Sequence, residues 1–412
     1  MNNFPATLPL VLFWFTYMGG LGIFFPYYGI YLRENAGLSG TELGLVLAMV
    51  PLVGIVAQPF WGRVADRTGA RSHVLSFLSF GAGLGYLALG TATGFPSIMV
   101  ANAALAIFTT AVLPITISVS LAVLRDAGPH AFGFVRVWGT VGFLLLVVGF
   151  PWMLSRYQMM YGLVPGSGGA SEPGLGVMFP VAAGMALIAS LIGLALPREG
   201  AVSFRAVRGD WRVLVRNGAF LRFLLFTLAS YFLLQGPMWL FPILVRARGG
   251  DLETVRGMWI LMLAFEIPLV LLTGSGIKQL GGRGLLALGV LAGGLRWILC
   301  GLFNDIYLLY PVQALHGVTV VGLMLGGPLY LDTVTPEPLR STAQALVSMV
   351  GMGIAGIASN TAAGWLLDQQ GPDAPYVFAG IGCLVLGCLV WWILPATQMA
   401  PHGRLEEKET WA

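Results

Sequence analysis

Charge is what this chain has least of. Only 10% of its 412 residues are Asp, Glu, Lys or Arg, where a soluble globular domain carries about 25%. A water-soluble particle so poor in charge could not cover its own surface. Cysteine is scarce as well. Cys300, Cys383 and Cys388 all lie in apolar runs, form no CxxC pair and have no neighbours at zinc-ligand spacing, so they read as small apolar filler. There is no basic region at the N-terminus and no small-residue cleavage site after the first apolar run, so that run is expected to be kept as a helix. No GxxxxGK phosphate loop is present, and no nucleophile–base pair points to an enzyme. The net charge of +4 does not indicate nucleic acid, because the charges sit in short loops and only the stretch near 198–222 is strongly basic.

What is abundant is apolar length. Hydrophobic residues make up 57% of the chain, with 57 glycines and 24 phenylalanines, a composition suited to helices packed closely in lipid. Runs of about 20 residues, the length that crosses a bilayer, fall near 7–31, 40–61, 73–93, 97–124, 132–154, 175–196, 218–245, 255–275, 284–303, 306–331, 340–366 and 374–395. They predict an all-α membrane protein of twelve transmembrane helices. Loops on the side of the N-terminus hold fifteen Lys and Arg, against five on the other side. By the positive-inside bias both termini are expected in the cytoplasm, with the chain in the inner or plasma membrane.

The chain also repeats itself. Gly62-Arg-Val-Ala-Asp-Arg-Thr-Gly69-Ala-Arg71 follows the second run, and Gly274-Ser-Gly-Ile-Lys-Gln-Leu-Gly281-Gly-Arg283 follows the eighth, with Gly, Gly and Arg in matching places. Phe25-Pro26 is echoed by Phe241-Pro242. The expected organisation is a six-helix bundle at 1–197, a cytoplasmic link at 198–217, a second bundle at 218–396 and a tail at 397–412. A solute site is expected where the two pseudo-symmetric halves meet.

The 62–71 stretch resembles the signature between helices 2 and 3 of the major facilitator superfamily, which makes Gly62, Asp66, Arg67, Gly69 and Arg71 a candidate gating loop. Lys278 stands where the first copy has Asp66. Phe25-Pro26-Tyr27-Tyr28, Gln58-Pro59-Phe60-Trp61, Arg136-Val137-Trp138-Gly139, Gly294-Leu295-Arg296-Trp297 and Gln313-Ala314-Leu315-His316 are similar to the branch of phenylpropionate permease, lactose permease and nucleoside–proton symporters. The resemblance implies alternating access, substrate contact at Arg136 and coupling through Arg296 and His316. One turn beyond the helix 10 histidine, where lactose permease has its proton-bearing carboxylate, this chain has Thr319, which leaves Glu266 or His316 to carry a proton.

Charges within the hydrocarbon cost about 2.5–3.5 kcal/mol each on insertion scales, so their presence needs a reason. Glu266 and Arg296 lie about twelve residues into their runs and Arg136 about a turn into its own. Arg136, Arg296, Glu266 and His316 are read as facing one cavity, against the alternative of a Glu266–Arg296 pair that only locks two helices together. Two arginines against one glutamate leave a surplus positive charge suited to a carboxylate, which Arg grips bidentately. Tyr231 with Gln235 and Gln313 with His316 share helical faces and either bind solute or tie helices. Trp138 and Trp297 sit beside the arginines in sequence and either wall an aromatic solute or face lipid. Gly351-Met-Gly353-Ile-Ala-Gly356 has the letters of a dinucleotide fingerprint, but it lies within an apolar run with no strand before it and reads as close helix packing.

The reading is a monomeric secondary transporter, with no cofactor beyond a proton as coupling ion, whose partners are the bilayer and a small anionic, aromatic solute taken up by symport. A symporter of a neutral sugar or nucleoside and a non-transporting solute sensor are the alternatives.

Overall fold

The computed structural model describes residues 4–125, 127, 131–164, 172–196 and 211–396. The expected link lies outside the described residues up to 210, and so does the tail at 397–412. Every regular element among the described residues is helical.

In the first half these are α1 (Phe4–Ile30), continued by a π-helical turn Tyr31–Asn35, α2 (Gly40–Thr68), α3 (Arg71–Thr91), α4 (Phe95–Val123), α5 (Ala131–Tyr161) and α6 (Met178–Leu194). A six-residue helix, Trp211–Arg216, leads into α7 (Gly218–Ala247). The helix Leu252–Leu302 is broken at Gly281 into α8 (252–280) and α9 (282–302). α10 is in two pieces, Ile306–Val312 and Leu315–Val334. α11 runs from Arg340–Ser348 through a π-helical stretch, Met349–Ala355, into Gly356–Gln370, and α12 is Ala374–Ile393. Eleven helices are long and apolar enough to cross a membrane among the described residues, and α8 completes the twelve-helix fold.

The ends of α2 and α8 show the repeat in the backbone. The stretch from Gly62 that reads as a loop in the sequence is helix as far as Thr68, with only Gly69 and Ala70 outside it. Nothing in 62–68 breaks a helix; Gly69 does, because it adopts φ 64°, a left-handed conformation that costs glycine little. Gly281, its counterpart, adopts φ 65° and breaks the second copy at the same place.

Packing repeats with the same period of six helices. α1 packs on α5 and α6, α3 on α4 and α6, and α2 on α4; α7 packs on α11 and α12, α9 on α10 and α12, and α8 on α10. Two bundles related by a pseudo-twofold follow, as inverted or parallel repeats in transporters produce. They meet along α2–α11, α5–α8 and α1–α7, each pair mapping onto itself or the other under the repeat.

The bonds across the seam gather on one side. The first described helix starts and the last ends on the same face, here the terminal face. At the far face, Gly44 of α2 is so close to α11 that a Cβ there would stand 2.5 Å from the Asn360 carbonyl oxygen. Between described residues, every hydrogen bond and ion pair that crosses the halves lies at the far face: Asp368 with Gly40, Thr41 and Arg33, and Arg246 with Glu34 and Glu172. The bonds that join the two bundles are therefore gathered at the far face.

Candidate functional site

Arg296, in mid-α9, is 2% exposed and touches no carboxylate among the described residues. Its Nε and Nη2 both donate to Oε1 of Gln313, at 3.1 and 2.9 Å, and its Nη1 lies 3.1 Å from Nδ1 of His316. The Met238 and Met262 sulfurs lie 3.6 and 3.4 Å from Nη1 and Nη2. The guanidinium sits 4.2 Å from the Trp297 ring centroid and 5.4 Å from that of Phe241, so ring faces supply part of the counter-field.

α10 is built to present these partners. Pro311 has no N–H to give, and beyond it the chain tightens to i→i+3 bonds: Gln313 to Tyr310, Ala314 to Pro311 and His316 to Gln313. The tightening leaves the Leu309 carbonyl without its usual i+4 donor, and the Gln313 side-chain amide takes it at 2.8 Å. Gln313 is thereby fixed with its oxygen toward Arg296.

His316 hands the chain of contacts on to Glu266, Nε2 to Oε2 3.6 Å. Arginine has no acceptor, so Nδ1 of His316 must be the acceptor and the proton of the neutral ring is on Nε2, facing Glu266. The sequence alternative of a direct Glu266–Arg296 pair is not what the structure shows; Gln313 and His316 stand between.

Arg136 approaches from the other half. Phe143 of α5 meets Trp259 of α8 with ring centroids 5.9 Å apart. Arg136 is seven residues before Phe143 and Glu266 seven after Trp259, each two turns along the same helical face. The helices are antiparallel, so both steps lead toward the terminal face and bring Arg136 to the level of Glu266. Arg136 is exposed, and no hydrogen bond or ion pair to another described residue satisfies it.

A family model described as "MFS_1 like family" matches residues 7–378. The chain belongs to the major facilitator superfamily. It is 28% identical to the maltose permease of Geobacillus stearothermophilus, with 93% of each chain covered. To the "Probable 3-phenylpropionic acid transporter" of Escherichia coli (strain K12) it is 27% identical over 91% of this chain and 94% of that one. Among solved structures, the nucleoside transporter NupG superposes with a TM-score of 0.80 at 17% identity, covering 96% of this chain and all of the other. These relatives make this facilitator a membrane transport protein and not an enzyme.

The other sequence candidates are placed differently. Gln235 donates to the Gly351 carbonyl, 2.9 Å, inside the π-helical stretch of α11, and Tyr231 packs beside the same glycine; both serve the α7–α11 contact. Trp138 lies two residues from Arg136, about 200° round the helix, on the exposed stripe Phe134, Trp138, Val141, Leu145, and does not join the site. Trp297 is buried beneath Arg296. In the gating segment Asp66 pairs with Arg71 at 2.8 Å, a contact within its own half, with Gly62, Arg67 and Gly69 beside it at the helix end. Trp14 is buried, and its indole donates to Ser120.

Sequence reasoning missed the far-face bonds. Asp368 accepts from the Gly40 and Thr41 amides at 2.6 and 2.7 Å and from the Thr41 hydroxyl at 2.7 Å, a carboxylate seated on the positive end of a helix in the opposite half. Arg246 binds Glu34 at 2.8 Å and Glu172 at 3.1 Å. The Thr-Glu pair after Ser39 does announce the start of α2, where Ser39 and Glu42 form a capping box, but no local pattern names a partner more than three hundred residues away. Among the described residues no group of three His, Cys, Asp or Glu converges on a metal position.

Proposed function

We propose that this facilitator is a secondary active symporter that carries a small organic carboxylate together with a proton into the cell. The terminal face is the cytoplasmic one, consistent with its surplus of Lys and Arg, so the structure is read as inward-facing. The observation that carries this reading is Arg136: an exposed guanidinium, unpaired among the described residues, at the level of Glu266 across the seam. A carboxylate supplies what it lacks.

Glu266 is the group that takes the proton. While Arg296 donates to Nδ1, His316 can accept no second proton, because its other nitrogen already carries one. Protonating Glu266 removes the negative charge opposite Arg136 and leaves Arg136 and the buried Arg296 without an anion beside them. The carboxylate solute then restores balance. Proton and solute thus favour each other's binding, and the coupling is reciprocal. Once both are bound the site returns to the net charge it has when empty, and the barrier to exchanging the far-face and terminal-face seams falls.

Uptake of labelled 3-phenylpropionate into proteoliposomes, with maltose as competitor, tests the proposal. Acid-outside uptake that maltose does not inhibit, and that Arg136→Ala abolishes with the protein still inserted, is the expected result. Inhibition by maltose together with full activity of Arg136→Ala would instead favour a neutral sugar, the reading that the maltose permease relative supports.

A further inference from the structure

Below the charged site lies a hollow that the mechanism does not use. It is lined by α7, α9, α10 and α11, has a volume of about 250 Å³, and is walled by Phe223, Phe226 and Tyr231, with Gln344, Ser348 and Gly327 among its other residues. Two of the hydroxyls on its α7 wall are turned away: Thr227 donates to the Phe223 carbonyl at 2.9 Å and Ser230 to that of Phe226 at 2.8 Å. What they leave toward the hollow is carbon and ring faces, with only a few polar points.

Two helices independently fix its distance from the charges. On α7, Tyr231 stands seven residues from Met238, whose sulfur touches Arg296; on α10, Leu323 of the hollow stands seven residues from His316. Seven residues are two turns on one face, about 10 Å. The hollow therefore lies about 10 Å from the Arg296–His316 contact, on the terminal-face side. A dry cavity of about 150 Å³ accepts benzene, so this one has room for a phenyl ring with a short chain.

We infer that this recess in the second half binds the aromatic, apolar end of the solute on its way between the charged site and the cytoplasm. The inference rests on the carboxylate reading for the other end of that solute, but the ring site can be tested apart from it. Gly327 offers the handle. A Cβ there meets nothing within 4 Å, whereas on neighbouring Gly326 it would stand 2.9 Å from the Leu285 Cβ and the Leu286 backbone nitrogen. Gly327→Leu fills the recess without pressing on α9, and Gly327→Ala barely enters it.

Calorimetric binding of 3-phenylpropionate and of 3-phenylpropanol to the purified full-length protein, wild type and both variants, reads the outcome. The expected result is that Gly327→Leu weakens both ring compounds on the order of tenfold or more, Gly327→Ala changes little, and the unliganded unfolding temperatures agree. If Gly327→Leu lowers that temperature, Ser348→Leu fills the same recess from α11 and carries the test. Unchanged affinity in a folded, filled variant overturns the ring site and leaves the carboxylate reading standing. Binding of the alcohol but not the acid to wild type overturns the carboxylate reading alone, and binding of neither compound overturns both.

Discussion

Arg296 has to be kept charged without a carboxylate in contact, and the side chains around it show how. Gln313 accepts from two of its nitrogens and is itself tied down to Leu309 and, at 3.7 Å, to the Cys300 sulfur. A hydrogen bond to a charged group is worth about 1.5–3 kcal/mol, and an unsatisfied buried donor costs a comparable amount. Gln313→Leu is therefore expected to destabilise the protein by roughly 3 kcal/mol, visible as a lower unfolding temperature in detergent; an unchanged temperature would mean that water or another group replaces the amide. Glu266→Gln makes a different change, since it keeps the shape and removes the titration. Exchange of labelled against unlabelled solute should persist in this variant while the response to a pH gradient disappears. That Arg136, Glu266, Arg296, His316 and Gln313 are chemically unusual was legible in the sequence, because each is a polar group inside an apolar run. Their connectivity was not. A helical repeat tells which residues share a face but not how far the helix is rotated, so the sequence could not say that His316 stands between Glu266 and Arg296, or that Trp138 turns away from Arg136.

Helix lengths and order follow closely from the hydrophobic runs, and α2 and α5 extend beyond theirs because polar residues such as Asp66 and Arg156 continue the helix past the apolar stretch. The internal irregularities were not visible. The π-helical stretch Met349–Ala355 occurs in a sequence of small and apolar residues that ordinary α-helix would also accept; it depends on tertiary partners, among them the Gln235 amide on Gly351. The same holds for the far-face seam, where glycines set how near α2 comes to α11. Gly44→Leu would need its neighbours to retreat by more than an ångström, and overpacking of this kind costs about 1–3 kcal/mol. That cost falls only on the state in which the far face is closed. The variant is expected to fold, to sit open toward the far face and to lose transport. A cysteine placed at Ile55, which packs against Gly353 of α11, should become more reactive to a reagent added from outside, and unaltered labelling would show that the seam adapts.

At the scale of the whole molecule, what separates the two solute classes is the charge moved per cycle. Arg136, Arg296 and Glu266 together carry one positive charge when Glu266 is ionised, and a carboxylate plus a proton add no net charge to it. The loaded carrier and the empty carrier then differ by nothing that the membrane potential can act upon. A neutral sugar carried with one proton would move a full charge, worth about 2.3 kcal/mol per 100 mV, and potential alone would concentrate it. Vesicles clamped with potassium and valinomycin separate the cases: an interior-negative potential at equal pH should leave uptake of the acid unchanged, while an imposed pH gradient should drive it. The far-face bonds add a second condition to the same measurement. Asp368 and Arg246 hold the halves together whichever solute is carried, so Asp368→Asn should weaken the closed far face by removing the charge on the α2 terminus, an effect of about 0.3–1 kcal/mol. Expected is a modest change in rate with the insensitivity to potential retained, because Asp368 lies outside the group of charges that sets the stoichiometry. If potential began to drive uptake in that variant, the net-charge balance assigned to Arg136, Arg296 and Glu266 would have to be redrawn to include the far face.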